Sequence, residues 1–321
     1  MDSLLRLLSD GRFHSGEELG AALGVSRSAV WKQLKRLESE YGFALFGVPG
    51  KGYRLSEPLS LLGYDKSSVA MDRFGWRLFL REIVDSTNAE ALRLIQAGQV
   101  APFVVMAERQ TGGRGRRGRT WISPPATNLY YTLAVRVSGG AQGLSSLSLV
   151  VGLAVLQALR RAGVERAGLK WPNDIYVDGK KIAGILLELT GDPADVCHVI
   201  VGIGVNVNMR SIAAGIDQPW TSVRQQTGIL MDRSELANLV SEFLHCYLSL
   251  HAQKGFVALR DEWEANNIWQ GKRCTLSNGN QLITGRVIGV DEQGALRLLI
   301  DGLGERRFSG GELSLRLDDD S

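Results

Sequence analysis

Asp178-Gly179 separates the strand-like run Ile175-Tyr176-Val177 from Lys180-Lys181-Ile182, and this dipeptide is a strong short signal for a two-residue hairpin turn. A turn that tight can only join antiparallel neighbours, because parallel strands need a long crossover. Strand character recurs at Val104–Ala107, Leu129–Val137, Asp174–Val177, Ile182–Thr190 and Val199–Val207. It alternates with amphipathic helical patterns at Thr87–Ala97, Leu147–Ala162 and Ser234–Gln253. The segment 65–269 is therefore expected to be a mixed α+β domain, not a doubly wound parallel sheet.

The two ends have different textures. In residues 1–58, Leu4, Leu5, Leu7 and Leu8 form a short apolar face that stops at Asp10-Gly11. Ser15 is placed to cap a second helix carrying Leu19, Ala22 and Leu23, which Gly24 ends. Ser26 is placed to cap a third, through Val30, Leu34 and Leu37. Arg27, Trp31, Lys32, Lys35 and Arg36 are left for the outer face of that helix. Two short strands then flank Pro49-Gly50-Lys51-Gly52, a hairpin with a basic tip. A tight corner, a basic helix and a basic hairpin together spell a winged helix-turn-helix for DNA. A small protein-interaction bundle with a solvated lysine face is the alternative. After Glu57-Pro58-Leu59-Ser60, read as a linker, the middle domain begins; residues 270–317 are short strands with Asn, Asp and Gly turns, the pattern of a small β-barrel.

Bulk properties narrow the classes. The net charge is +3, so any nucleic-acid binding must come from a local patch. The cysteines, Cys197, Cys246 and Cys274, are odd in number and far apart, and neither they nor the histidines have metal-ligand spacing. No signal peptide and no membrane-length apolar run is evident, so a reduced, cytoplasmic protein with no membrane partner and no bound structural metal is expected.

Chemistry concentrates in four clusters. Gly112-Gly113-Arg114-Gly115-Arg116-Arg117-Gly118-Arg119, followed by Trp121, joins free backbone N–H groups to guanidinium forks; it suits a bound anion, or else is a solvated basic loop. Asp85-Ser86-Thr87-Asn88 precedes a helix and supplies more short polar side chains than a cap requires. Lys170-Trp171-Pro172-Asn173-Asp174 sets a cation, an aromatic, an amide and a carboxylate at the entry to a strand. Lys181 stands beside an apolar run and reads equally as a snorkelling strand end. Gly202-Ile203-Gly204-Val205-Asn206 is a weak nucleotide-loop signal that a buried strand explains as well.

Taken together, these segments resemble the biotin–protein ligases, specifically the bifunctional class that also represses biotin synthesis through an N-terminal winged helix. The resemblance is carried by Asp85–Asn88; Gln110 with Gly113–Arg119 and Trp121; Lys170–Asp174; Lys181 with Ala183-Gly184; Gly310-Gly311-Glu312; and Val48-Pro49-Gly50-Lys51-Gly52-Tyr53 as the wing. It implies a central domain related to class II aminoacyl-tRNA synthetases and an SH3-like C-terminal barrel.

The implied chemistry has two steps. Biotin is activated by ATP with Mg²⁺ to biotinyl-5′-adenylate, and the biotinyl group then passes to a lysine of the biotin carboxyl carrier protein of acetyl-CoA carboxylase. The resemblance assigns Ser86, Thr87, Asn88, Gln110, Arg114, Gly115, Arg116, Lys181 and Gly184 to biotin. It assigns Gly113, Arg116, Arg119, Trp121, Asn206, Trp220 and Arg316 to the adenylate. Lys181, Arg114 and Arg116 would stabilise the anionic reactants, and Asp174 would orient or deprotonate the acceptor amine. Ser26, Arg27, Ser28, Trp31, Lys32, Lys35 and Lys51 would meet operator DNA of biotin biosynthesis genes, with a homodimer forming when adenylate is bound. A lipoate-type ligase and a catalytically silent ligand-sensing repressor are the rival readings.

Overall fold

A computed structural model describes residues 3–138, 146–191, 196–210, 215–278, 281–310 and 313–317. Gly311, Glu312, the start of the Ser211–Pro219 loop and the acidic tail at Asp318–Asp320 lie outside the described residues.

The N-terminal unit follows its capping residues. Helix α1 spans Ser3–Leu8, α2 Gly16–Leu23 and α3 Arg27–Tyr41. Ser15 and Glu18 cap each other's backbone at 3.0 and 2.8 Å, a capping box at the start of α2. Gly24 ends that helix at φ +65°, a left-handed conformation that glycine adopts without a Cβ penalty. Ser26 accepts from the Ala29 N–H to cap α3. Leu4, Leu5, Leu8, Leu19, Val30, Leu34, Leu37 and Leu55 close the core, whereas Ala22 faces solvent. Strands β1 (Leu45–Val48) and β2 (Gly52–Leu55) form the wing.

The middle domain is a seven-stranded sheet. Its strands are β3 (Arg77–Val84), β4 (Phe103–Gln110), β5 (Leu129–Ser138), β6 (Gly168–Lys170), β7 (Asp174–Val177), β8 (Lys180–Gly191) and β9 (Val196–Val205), in the order β3-β4-β5-β9-β8-β7-β6. Only β3 and β4 pair in parallel, joined by α6 (Thr87–Gln96); every other pair is antiparallel. The Asp178-Gly179 turn has φ of 48° and 74°, as the hairpin requires. Alternation along β4 sends Phe103 and Val105 toward α6, and Val104 and Met106 into the main core under α7 (Leu147–Arg161) and α9 (Arg233–Lys254). Short helices α4 (Tyr64–Ser67) and α5 (Val69–Arg73) fill the segment after the linker. Strands β3 and β6 have no counterpart among the runs read from sequence, being adjacent to polar or glycine-broken stretches.

Beyond α8 (Val223–Thr227) and α10 (Arg260–Ala265) come β10 (Arg273–Asn278), β11 (Gln281–Val290), β12 (Leu296–Ile300), β13 (Gly304–Phe308) and β14 (Ser314–Leu317). They form a five-stranded antiparallel sheet in the order β13-β12-β11-β10-β14. So small a unit has little core of its own, and its Cys274, Leu276, Val287, Leu296 and Leu298 belong to the same cluster as the middle domain. The Trp171 indole also donates to Gly294 O at 3.1 Å across this junction.

Candidate active site

The glycine–arginine run is an ordered loop. Gly115 N–H donates to Arg119 O at 2.7 Å and Trp121 N–H to Gly113 O at 2.9 Å, while Arg117 sits at φ 58° and Gly118 at φ 70°. Gly113 is buried beneath the loop: a Cβ there would stand 2.4 Å from Trp121 O. Arg116 donates to Asn173 Oδ1 at 2.9 Å and to Gly310 O, tying the loop to the Lys170–Asp174 turn and to the C-terminal domain. Burial lowers the Arg116 pKa from its ordinary value, partly offset by the nearby Asp174 carboxylate.

Below the loop, side chains from four elements make a buried polar wall. Thr87 donates through its backbone N–H (2.9 Å) and hydroxyl (3.1 Å) to Gln110 Oε1, and Gln110 Nε2 donates to Ser123 Oγ at 3.0 Å. The Thr132 hydroxyl lies 2.7 Å from Asn88 Oδ1 and 2.8 Å from Thr87 Oγ1. Asn88 Nδ2 donates to Glu188 Oε2 at 2.7 Å, and the other Glu188 oxygen lies 3.3 Å from an Arg114 nitrogen. Asp85 takes no place in the wall. Its carboxylate is exposed, and the hydrogen bonds from Arg93 hold its pKa down at about 2. Ser86, at the N-cap of α6, makes no side-chain capping bond, so its buried hydroxyl is open to a ligand.

Opposite the wall, the Lys181 ammonium lies 2.7 Å from Asp174 Oδ1 and 5.6 Å from the centre of the Trp121 ring. Lys181 and Asp174 lie on paired strands, and Lys181 also bridges to Trp220 through Pro219 O and the Thr221 N–H. Lys170 packs its ammonium over the rings of Tyr176 (4.7 Å) and Trp269 (4.5 Å); desolvation brings its pKa down to about 8.

Two cavities share this arrangement. The first is lined by Ser86, Thr87, Asn88, Gln110, Arg114, Gly115, Arg116, Asp174 and Gly184, the second by Asn206, Trp220 and Arg316. Arg119, Trp121, Lys170 and Lys181 line both. The sequence-derived candidates thus converge, except Gly113, which supports the loop from behind. Gly184 lines the first cavity, and a Cβ there would stand 3.1 Å from Lys181 Cε. Thr132, Ser123, Glu188, Tyr130, Gln218 and Leu315 also belong to the wall or the cavities, although sequence reading did not nominate them. Their separations from the motifs leave no local signal; only the pairing of β5 and β8 with β9 brings Thr132 and Glu188 beside Asn88.

On the N-terminal unit, Ser26, Arg27, Ser28, Trp31, Lys32 and Lys35 are exposed along or at the start of α3, and Lys51 is exposed at the wing tip. Trp31 is 52% exposed, so it contributes little to the core. Lys35 is held by Glu38 at 2.8 Å, while no ion pair restrains Lys32 or Lys51 among the described residues.

Known proteins share this organisation. An HTH domain model matches residues 1–54, the Biotin/lipoate A/B protein ligase family residues 80–206, and the Biotin protein ligase C terminal domain residues 271–316. The bifunctional ligase/repressor BirA of Escherichia coli is 39% identical over 98% of this chain and 96% of its own length. The Bacillus subtilis protein of that name is 31% identical over 92% of each chain. The structure of the Aquifex aeolicus biotin protein ligase in complex with biotin and ATP superposes with a TM-score of 0.67 at 34% identity, covering 75% of this chain and 99% of that one. With an HTH domain, a ligase domain and a biotin protein ligase C-terminal domain in one chain, and 39% identity to BirA over nearly its whole length, the chain belongs to the family of bifunctional biotin ligase/repressors.

Proposed function

We propose that the chain activates biotin with ATP as biotinyl-5′-adenylate, transfers the biotinyl group to a carrier-protein lysine, and represses biotin biosynthesis genes when the adenylate is bound. The observation that carries this reading is the pair of cavities meeting at Trp121 and Lys181, the first backed by neutral polar groups and both lined by cations.

The wall of Ser86, Thr87, Asn88 and Gln110 suits a ureido ring, whose buried N–H and C=O groups need partners if they are not to cost binding energy. The biotin carboxylate then points toward Arg114, Arg116 and Lys181. Their positive charge offsets the repulsion between carboxylate and phosphate as a carboxylate oxygen attacks the α-phosphorus and pyrophosphate leaves. Trp121 and the loop exclude water from the mixed anhydride, with Asn206, Trp220, Arg119 and Arg316 on the nucleotide side. Mg²⁺ fits as a companion of the triphosphate, where it would offset phosphate charge: among the described residues no cluster of three or more acidic, His or Cys side chains could hold it without substrate. In the second step the carrier amine attacks the adenylate carbonyl and AMP leaves. The amine's proton goes to Asp174, which lines the same cavity.

The carrier is the biotin carboxyl carrier protein of acetyl-CoA carboxylase, and the protein acts in the cytoplasm; no helix among the described residues is long and apolar enough to cross a membrane. An adenylate that orders the arginine loop would complete a homodimer surface and present two winged helices to a palindromic operator. Incubation with ATP, Mg²⁺, carrier domain and labelled biotin or lipoate tests the reading. Biotin labelling alone is expected. Lipoate labelling alone would make the protein a lipoate ligase, and biotin-dependent DNA binding without labelling would make it a silent sensor.

A further inference from the structure

Lys170 is a half-buried cation with unused donors. An ammonium carries three N–H bonds; one points to Tyr176 Oη at 3.2 Å, and no other protein acceptor is within reach of Lys170 among the described residues. It stands between the two cavities and lines both. Lys181 on β8, Arg119 on the arginine loop and Arg316 on β14 all repel it, whereas Asp174 on β7 attracts it and is itself held by Lys181. Tyr176 faces it from β7 as a neutral phenol, since burial pushes the tyrosine pKa well above its ordinary value. Asp217 lines the nucleotide-side cavity, and Asp174 lines the other. Four cations against two carboxylates, partly out of water, repel one another until an anion of several charges enters.

We propose that Lys170 is a polyphosphate-binding residue, its ammonium receiving the terminal phosphates of the nucleotide, the part that leaves as pyrophosphate. The proposal rests on the ATP-dependent reading above. The aromatic rings of Tyr176 and Trp269 hold the ammonium in place, so little side-chain freedom is lost on binding. In the free protein the Lys170 pKa is about 8, so at neutral pH and above part of the population is uncharged. An arriving polyphosphate raises that pKa, and binding must therefore take up protons. The sign follows from linkage: affinity is highest below the free-protein pKa and falls as pH rises through it.

The test is ATP binding to the full chain without biotin, by calorimetry in two buffers of different ionisation enthalpy, with AMP as the control. For the wild type, proton uptake is expected with ATP but not with AMP, and ATP affinity should weaken roughly tenfold between pH 7 and pH 9. Lys170→Arg should bind ATP without proton uptake and without that pH dependence. Lys170→Met should lose affinity at pH 7 while adenosine-dependent AMP binding persists, which also shows that it folds. Equal proton uptake in wild type and Lys170→Arg, or unchanged ATP affinity in Lys170→Met, would overturn the assignment alone. If the wild type bound biotin but no ATP, the ligase reading itself would fall and this assignment with it.

Discussion

The indole of Trp121 occupies the space that a side chain at Gly204 would need: a Cβ on Gly204 would stand 2.5 Å from Trp121 Cε2. Gly184, the cross-strand partner of Gly204, would bring a Cβ within 3.4 Å of the same ring. Two bare positions on neighbouring strands thus seat the aromatic residue that stands between the cavities. Its buried Nε1–H has no protein partner, a cost of about 1–3 kcal/mol that a bound ligand can relieve. Gly204→Ala should force the ring away at a cost of about 1–3 kcal/mol. Biotinyl-adenylate should dissociate on the order of tenfold faster or more, measured by stopped-flow tryptophan fluorescence, with the circular dichroism spectrum unchanged.

Arg116 joins the loop to Asn173 and to Gly310 O. Arg116→Ala removes a charge from the anion site together with the loop's attachment to the C-terminal domain. Adenylate formation should fall, and the adenylate that does form should escape and hydrolyse instead of labelling carrier. Thin-layer separation of free and carrier-bound labelled biotin reads both effects; a slower first step with no leakage would confine Arg116 to charge stabilisation.

Asp174 separates the two half-reactions. Asp174→Asn keeps the size of the side chain and a hydrogen-bonding oxygen near Lys181 but cannot take a proton from an amine. Transfer from preformed adenylate should fall by about 10²–10⁴, more than adenylation does. Equal losses in both steps would reduce Asp174 to a partner that positions Lys181.

Arg233 and Glu108 form an ion pair with side chains 0% and 4% exposed. Arg233 also donates to Ser60 O at 2.6 Å and to Asn128 O at 2.9 Å, and Glu108 accepts from the Leu62 N–H at 2.7 Å. Arg233→Met strands a buried carboxylate and should destabilise the ligase domain by about 3–5 kcal/mol in urea unfolding. Adding Glu108→Leu should recover part of that loss, because the uncompensated charge is gone.

Local chemistry made much of this molecule readable from the chain alone. Ser15, Gly24 and Ser26 announce the ends of their helices, Asp178-Gly179 announces its hairpin, and the glycine–arginine run marks the loop whose Arg114, Arg116 and Arg119 line the cavity, because each acts through immediate neighbours. What escaped reading depends on distant partners. Thr132 is an unremarkable strand threonine until β5 brings it under Thr87 and Asn88, and Glu188 is an ordinary strand carboxylate until β8 sets it between Asn88 and Arg114. The parallel strand β3 was hidden by its charged residues, Arg77, Arg81 and Glu82, which suit a sheet edge. Asp85, in the same polar row before α6, is turned outward by its helix neighbour Arg93.

Three consecutive residues at the end of β4 face three different parts of the protein. Glu108 holds the linker, Arg109 donates at 2.8 Å to Glu40 O near the end of α3, and Gln110 belongs to the binding wall. Leu59 and Leu61 pack on the DNA-binding core while Ser60 is bonded to Arg233, so the linker has almost no slack. The two halves are consequently poor candidates for modular exchange. A ligase shortened from its N-terminus would have to keep Ser60 and Leu62 to satisfy the Arg233–Glu108 pair, and a foreign DNA-reading unit grafted there would need a carbonyl where Glu40 now offers one.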